Sequence, residues 1–113
     1  MKKSFEHITE NFLTIDLLLE INNGYCISHQ VPIDFSSGFV LAYNDRIKEF
    51  VTWEYRITNK ETYCNISFFH GHYISKEITA KKDFYNRIYE RIEYIIDWYK
   101  QKREYDIRND IDD

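Results

Sequence analysis

The chain of 113 residues contains few of the residues that mark turns, zinc sites or redox motifs: one proline, three glycines and two cysteines. Cys26 and Cys64 are far apart and form no CxxC pair, so the sequence predicts neither a zinc knuckle nor a redox motif. It also has no glycine-rich phosphate loop, no GK[ST] sequence and no HExxH motif. We therefore expect no cofactor, no metal centre and no enzymatic activity.

Long hydrophobic runs are missing as well. The longest candidate, residues 15–21, is interrupted by Asp16 and Glu20, so the sequence predicts neither a signal peptide nor a membrane segment. A chain of this length is expected to form one domain, residues 1–113, with a single core. We expect this domain to be cytoplasmic.

Positive charge is in deficit, with 15 Lys and Arg against 19 Asp and Glu and a formal net charge of −4. A surface that binds phosphates normally needs clustered Lys and Arg, so direct nucleic-acid binding is not expected. The 18% aromatic share includes ten tyrosines, which are frequent at interfaces because the ring adds contact area and the hydroxyl adds a hydrogen bond. We therefore expect this acidic, tyrosine-rich protein to bind a partner with a basic surface.

The first segment, residues 4–21, repeats apolar residues at helical spacing and carries acids on another face. The spacing predicts a helix with Ser4 as its N-cap and Asn22-Asn23-Gly24 just past its end. The alternative is a β-hairpin around residues 17–29 with Asn-Asn-Gly as its turn. The predicted partner-binding strip of the helix is Glu6, Glu10, Leu13, Asp16, Leu17 and Glu20.

Residues 25–37 have an irregular pattern and predict a surface loop. Three apolar-aromatic segments then follow between residues 38 and 75, separated by polar turns, and predict a three-stranded antiparallel meander. Alternation places Val51, Trp53 and Tyr55 on one face of the central strand, and we expect that face to contact the helices.

Past Gly71 there is neither Gly nor Pro, and apolar residues at helical spacing predict a long helix over 78–103 that packs on the sheet. Dimerisation through Ile95, Trp98 and Tyr99 is a possible use of its far end. The acidic tail, 104–113, is expected to fray. The predicted fold class is therefore α+β.

Two small groups of residues could form a binding site, one for a metal ion and one for nucleic acid. On a regular strand the imidazoles of His70 and His72 would point the same way and could share a metal ion, but the intervening Gly71 indicates a bulge or close packing. Basic residues on the long helix form a strip that could bind single-stranded nucleic acid, but interleaved acids favour a solvated, salt-bridged face. The residues of that strip are Arg87, Arg91, Lys100 and Lys102.

Residues 38–90 resemble a group of small proteins of Gram-positive bacteria, their phages and conjugative elements. The shared pattern is an LAxN segment, a VTWxY strand, a GHY strand end and an AxxDFxxR helix start. These positions are Leu41, Ala42, Asn44, Val51, Thr52, Trp53, Tyr55, Gly71, His72, Tyr73, Ala80, Asp83, Phe84 and Arg87. The resemblance implies an α+β fold and a mobile-element setting, and it supplies no catalytic residues.

Small acidic proteins from such elements are similar to host-defence antagonists, including anti-CRISPR proteins. The leading hypothesis is therefore a non-enzymatic inhibitor that covers a basic, nucleic-acid-binding surface of a host effector such as a nuclease. An immunity or antitoxin-type protein that neutralises a toxin is the second hypothesis. The third is a small nucleic-acid-binding regulator.

Overall fold

The computed structural model describes residues 15–59 and 64–111. Within these residues the α+β class is confirmed, but the sheet has five antiparallel strands in sequential order rather than the three predicted. The elements are β1 (Ile21–Asn22), β2 (Tyr25–Pro32), β3 (Ser37–Asn44), β4 (Glu49–Asn59), β5 (Cys64–Ile74) and α1 (Glu77–Ile111).

The two additional strands form a hairpin at the start of the sheet. β1 pairs with β2 across Asn23 and Gly24, both of which have positive φ angles of 52° and 87°. Asn and Gly tolerate this left-handed backbone, which two-residue hairpin turns require. The hairpin alternative is thus confirmed, and the predicted helix is wrong for residues 15–21; its residues 4–14 lie outside the described part of the chain.

Hydrogen bonds explain why residues 15–21 are not helical. The Gln30 side chain bridges this segment, since its Oε1 accepts from the Leu17 amide at 2.8 Å and its Nε2 donates to the Ile15 carbonyl at 2.8 Å. Further along, the Leu19 amide donates to the Ile27 carbonyl. Because the backbone groups bond to β2, they are not available for the i to i−4 bonds of a helix.

β2 occupies the segment that was expected to be a loop. Its pairing with β3 shifts by one residue between Ile27 and His29, which breaks the alternation of buried side chains along the strand. Pro32 is the last residue of β2 and lies beyond the residues that pair with β1. The missing N–H of proline therefore removes no hydrogen bond to β1.

The predicted meander corresponds to β3, β4 and β5. Asn44 ends β3, and its Oδ1 accepts hydrogen bonds from the amides of Arg46 and Ile47, so it forms the Asx turn typical of this residue. The second predicted turn lies partly outside the described residues, but the pairing of Asn59 with Cys64 brackets it. The strands therefore pair as the turn residues indicated.

Apolar side chains cover both faces of the sheet. The larger cluster uses residues from β2 to β5 together with Ile15 and Leu17. A second cluster lies under α1 and joins Phe39 and Leu41 of β3 to the helix. The helical members of the second cluster are Ala80, Phe84 and Ile88.

The face that contacts α1 is not the one predicted. Val51, Trp53 and Tyr55 do share a face, but they belong to the larger cluster on the side away from the helix. α1 instead covers the face that carries Thr52 and Glu54, which are 0% and 5% exposed. Strand alternation separates the two faces correctly, but it does not say which one a helix will cover.

The predicted bulge at Gly71 is confirmed. β5 shifts register against β4 between the pairs made by Thr52 and Glu54, and His70 has a φ of 51°. A Cβ at Gly71 would come within 2.8 Å of the Trp53 indole nitrogen, so the ring lies against the glycine backbone. The bulge and the close packing that Gly71 indicated therefore occur together.

α1 begins next to its predicted start but continues to Ile111, through the segment that was expected to fray. Its 35 residues correspond to about 50 Å at 1.5 Å per residue. No Gly or Pro occurs after Gly71 to end it, and Glu104 and Arg108 have the i, i+4 spacing that supports a helix. Only the first half of α1 contributes to the core cluster, which ends at Ile88.

The burial of Leu17 leads to a first prediction. Leu17→Ala removes a side chain that is 0% exposed, and we expect it to lower the free energy of unfolding by about 2–5 kcal/mol. The neighbouring Leu18 is 47% exposed, so Leu18→Ala should change it by less than about 0.5 kcal/mol. Urea denaturation followed by circular dichroism measures both. Equal effects of the two substitutions would contradict the alternation of residues 15–18.

Tyr25 gives a prediction about pH. Burial, and a hydrogen bond from its hydroxyl to Glu49 Oε1 at 2.6 Å, raise the pKa of Tyr25 from 10.0 to about 12. The stability that the protonated hydroxyl contributes is complete below pH 10 and is lost as the pH rises to 12. Between pH 9 and 11.5 the wild type should therefore lose more stability than Tyr25→Phe, as measured by urea midpoints. Tyr105→Phe, on the exposed side of α1, controls for removal of a hydroxyl.

Candidate functional site

The densest group of polar side chains lies between β4, β5 and the first half of α1. We define this polar cluster as Thr52, Glu54, His72, Asp83, Arg87 and Arg91. It borders a cleft of about 250 Å³ that Phe39, Glu90 and Tyr94 also line. β4 supplies the residues beneath the helix, and the i, i+4 spacing along α1 places the helical members on one face.

Glu54 and Arg91 form the centre of the cluster. The two guanidinium nitrogens donate to the two carboxylate oxygens at 2.9 and 3.1 Å, which is a bidentate pair. The Glu54 side chain is 7% exposed and that of Arg91 is 34% exposed. A carboxylate so deeply buried requires such a partner, because an unpaired buried charge is strongly destabilising.

Thr52 joins the strand to the helix one turn earlier. Its hydroxyl donates to Asp83 Oδ2 at 2.5 Å and accepts from Arg87 Nη1 at 3.0 Å, and Arg87 Nη1 also donates to the Thr52 carbonyl. Burial lowers the pKa of Arg87, whereas the nearby Asp83 and Glu54 carboxylates raise it. Arg87 remains a cation, because the ordinary pKa of arginine is far above neutral pH.

The bulge directs the two histidines to different acids. His72 Nδ1 lies 2.9 Å from Asp83 Oδ2, and His70 Nδ1 lies 3.9 Å from Glu54 Oε1. In the part of the chain that the structure describes, no group of three His, Cys, Asp or Glu side chains could hold a metal ion. The shared-ion geometry considered for His70 and His72 assumed a regular strand, which β5 is not.

These contacts favour a structural role for the polar cluster. Its members bond to one another across the interface between sheet and helix: Glu54 pairs with Arg91, His72 with Asp83, and Arg87 bonds to Thr52. Sequence reasoning missed Glu54 because a glutamate in an alternating strand usually faces solvent. Four members belong to the sequence pattern on which the expected resemblance rests: Thr52, His72, Asp83 and Arg87.

The predicted partner-binding strip does not form a single surface in the described part of the chain. Leu17 is buried in the larger core cluster and cannot contact a partner, because the alternation of residues 15–17 turns it inward. Asp16 is exposed and its Oδ1 accepts a hydrogen bond from the Leu18 amide, while Glu20 is partly buried. Glu6, Glu10 and Leu13 lie outside the described residues.

A long exposed apolar face lies on α1 instead. Five side chains repeat at alternating spacings of four and three residues, and each is at least 43% exposed. This spacing is typical of a helix face that meets another helix or a partner groove. We define this apolar row as Tyr85, Tyr89, Ile92, Ile96 and Tyr99.

A row of carboxylates lies beside the apolar row. We define this acidic row as Glu90, Glu93, Asp97 and Glu104, all of which are exposed. The two rows adjoin, because Glu93 accepts a hydrogen bond from the Tyr89 hydroxyl and thereby raises the pKa of Tyr89. Two basic residues, Lys100 and Arg108, share this face, and Arg108 lies one turn past Glu104.

Three of the four residues in the basic strip considered for nucleic-acid binding, Arg87, Arg91 and Lys102, already make contacts within the protein. Arg87 bonds to Thr52 and Arg91 to Glu54, and both guanidinium groups lie over the Phe39 ring at 5.3 Å. Lys102 Nζ lies 5.3 Å from the centre of the Trp98 ring. Phosphate binding would therefore compete with these contacts.

No protein-family model matches this chain, and comparisons with curated proteins and with solved structures find no significant match. Among the described residues, no helix has both the length and the apolar character needed to cross a membrane.

The Glu54–Arg91 pair leads to a double-mutant prediction. Glu54→Ala and Arg91→Ala should each destabilise the fold, and the double variant should lose less than the sum, with a coupling of about 0.5–3 kcal/mol. The matched control is the exposed pair on α1 in which Lys81 Nζ lies 3.2 Å from Glu77 Oε1. The coupling free energy of this pair should be less than about 0.5 kcal/mol. Urea denaturation of both cycles gives the two couplings. Equal couplings would show that the buried pair does not anchor the helix.

Proposed function

We propose that this protein is a non-enzymatic inhibitor that binds a basic, nucleic-acid-binding surface of a host defence effector in the cytoplasm, in the manner of anti-CRISPR proteins. The exposed face of α1, with the apolar row beside the acidic row, carries this proposal. The setting implied by the resemblance supplies the class of partner.

The apolar row supports protein binding. Its members are 43–62% exposed and together form a continuous face about four turns long. Monomeric proteins seldom expose an apolar face of this extent without using it. Tyrosine and isoleucine would supply buried contact area, and the tyrosine hydroxyls would hydrogen-bond at the edge.

The acidic row specifies the partner's charge. Four carboxylates against two basic residues, Lys100 and Arg108, leave this side of the helix net negative, and a basic partner surface would be attracted to it and held in register. An effector that binds DNA or RNA carries such a surface. An inhibitor that occupies this surface would exclude the nucleic acid without catalysing a reaction.

Internal contacts of the basic residues favour an inhibitor over a regulator. A regulator would need Arg87 and Arg91 for phosphates, but both are held by β4. Withdrawing Arg91 would leave Glu54 buried without its bidentate partner, which is costly.

The test is capture of a partner from nuclease-treated lysate of a Gram-positive host. Tagged wild-type protein should retain a stoichiometric protein partner at about 0.05 M salt and lose most of it at about 0.5 M, because salt screens charge pairs. The double variant Glu93→Lys/Asp97→Lys should retain at least about tenfold less. Once the partner is identified, inhibition of its nucleic-acid binding or cleavage should follow the same order.

Asp45→Lys/Asp106→Lys is the matched control, since it changes the net charge equally at exposed positions outside the acidic row. It should retain the partner like the wild type. Equal loss in both variants would mean that net charge alone matters. A parallel capture from lysate without nuclease that retains nucleic acid and no protein would favour the regulator. Concentration-dependent dimerisation that Ile92→Ser/Ile96→Ser abolishes would instead assign the apolar row to a second copy.

A further inference from the structure

A second, larger cleft lies where α1 passes the loop between β2 and β3. It has a volume of about 470 Å³ and is open to solvent. Three aromatic rings of α1 and one carboxylate of the loop dominate its lining. The lining residues are Ile33, Asp34, Tyr94, Ile95, Trp98 and Tyr99.

The carboxylate is fixed and charged. Asp34 Oδ1 accepts hydrogen bonds from the Ser36 amide at 2.9 Å and from the hydroxyls of Ser36 and Ser37. Burial raises the pKa of Asp34, but the bonds from these serines outweigh it and lower the pKa below its ordinary value. The bonds from the Ser36 amide and from both serine hydroxyls fall on Oδ1, and a carboxylate has further lone pairs with which it can accept from a ligand.

The rings supply the second half of a cation site. Tyr94, Trp98 and Tyr99 are 67%, 47% and 62% exposed, and a cation over such a ring is attracted by the negative face of its π system. The structure already shows this attraction at Trp98, where the Lys102 ammonium lies 5.3 Å from the ring centre. Arginine guanidinium groups lie over phenylalanine rings elsewhere in the molecule, as Arg56 does over Phe69 at 5.5 Å.

We infer that this cleft receives an arginine side chain of the protein partner, with its guanidinium stacked on the rings of Tyr94 and Trp98 and hydrogen-bonded to Asp34. Arginine fits better than lysine, because its planar group can stack on a ring while its N–H groups donate in the plane, and because it is more weakly hydrated than an ammonium. The inference rests on the proposed function and gives it a recognition site that lies outside the acidic row and shares Tyr99 with the apolar row.

Free peptide can test the inference without the partner. The blocked tripeptide acetyl-Gly-Arg-Gly-amide is titrated into the full chain at constant ionic strength, with tryptophan fluorescence as the readout. Trp53 is 4% exposed and Trp98 is 47% exposed, so a contact in the cleft changes mainly the Trp98 signal. We expect saturable binding with a Kd on the order of millimolar, since one stacked cation and one exposed ion pair contribute a few kcal/mol at most.

The neutral analogue with citrulline in place of arginine has nearly the same shape and should bind at least about threefold more weakly. Tyr94→Ala and Asp34→Asn should each weaken arginine-peptide binding by a similar factor. Tyr94 is exposed, so its replacement leaves the fold intact even if Asp34→Asn loosens the loop; thermal melts check both. Lys102→Gln should tighten binding, because it removes a competing ammonium from Trp98.

Equal binding of the citrulline peptide would overturn the inference, as would arginine-peptide binding that is the same in the wild type, Tyr94→Ala and Asp34→Asn. Tighter binding of tetramethylammonium than of the arginine peptide would overturn it in favour of a small quaternary ammonium ligand. These results are separable from the proposed function. An empty cleft together with partner capture that depends on the acidic row would reject the arginine site and leave the inhibitor in place.

Discussion

The burial of a glutamate between the sheet and the helix is the constraint on which the rest of this structure depends. The Glu54 carboxylate is almost fully enclosed, and its two oxygens are satisfied by both terminal nitrogens of Arg91. Because a bidentate pair tolerates little displacement, this contact fixes α1 in rotation and along its axis. Asp83 and Arg87 then meet Thr52, and Phe84 and Ile88 fall on Phe39 and Leu41.

That register decides which surfaces remain for other molecules. With Arg91 over β4, the part of α1 beyond it passes the β2–β3 loop and creates the aromatic and acidic cleft. The same rotation turns the apolar and acidic rows to solvent. The polar cluster therefore joins the sheet to the helix, and the proposed binding surfaces lie on parts of α1 that the sheet does not cover.

Sequence patterns predicted β3 to β5, the bulge at Gly71 and the start of α1, because each depends on neighbouring residues. Alternation and turn residues specify the strands, and the absence of Gly and Pro after Gly71 allows a long helix. The leading predictions of a helix and then a loop were wrong for residues 15–32, because Ile15 and Leu19 continue a helical spacing of apolar residues and the hairpin stood only as the alternative. The side chain of Gln30 and the register shift after Ile27 settle that choice, and both act through pairs distant in sequence.

The sequence by itself determined the α+β class, the net acidity and a long C-terminal helix, since these follow from composition and local spacing. The sequence also contains the four- and three-residue spacing of the apolar row, over residues 85–99. Only the tertiary structure decided that α1 covers the Thr52 and Glu54 face, that Leu17 is core and that Asp34 joins Trp98 in one cleft. The physical reason is that the burial of a polar side chain depends on partners elsewhere in the chain, and only the folded chain brings Arg91 to Glu54.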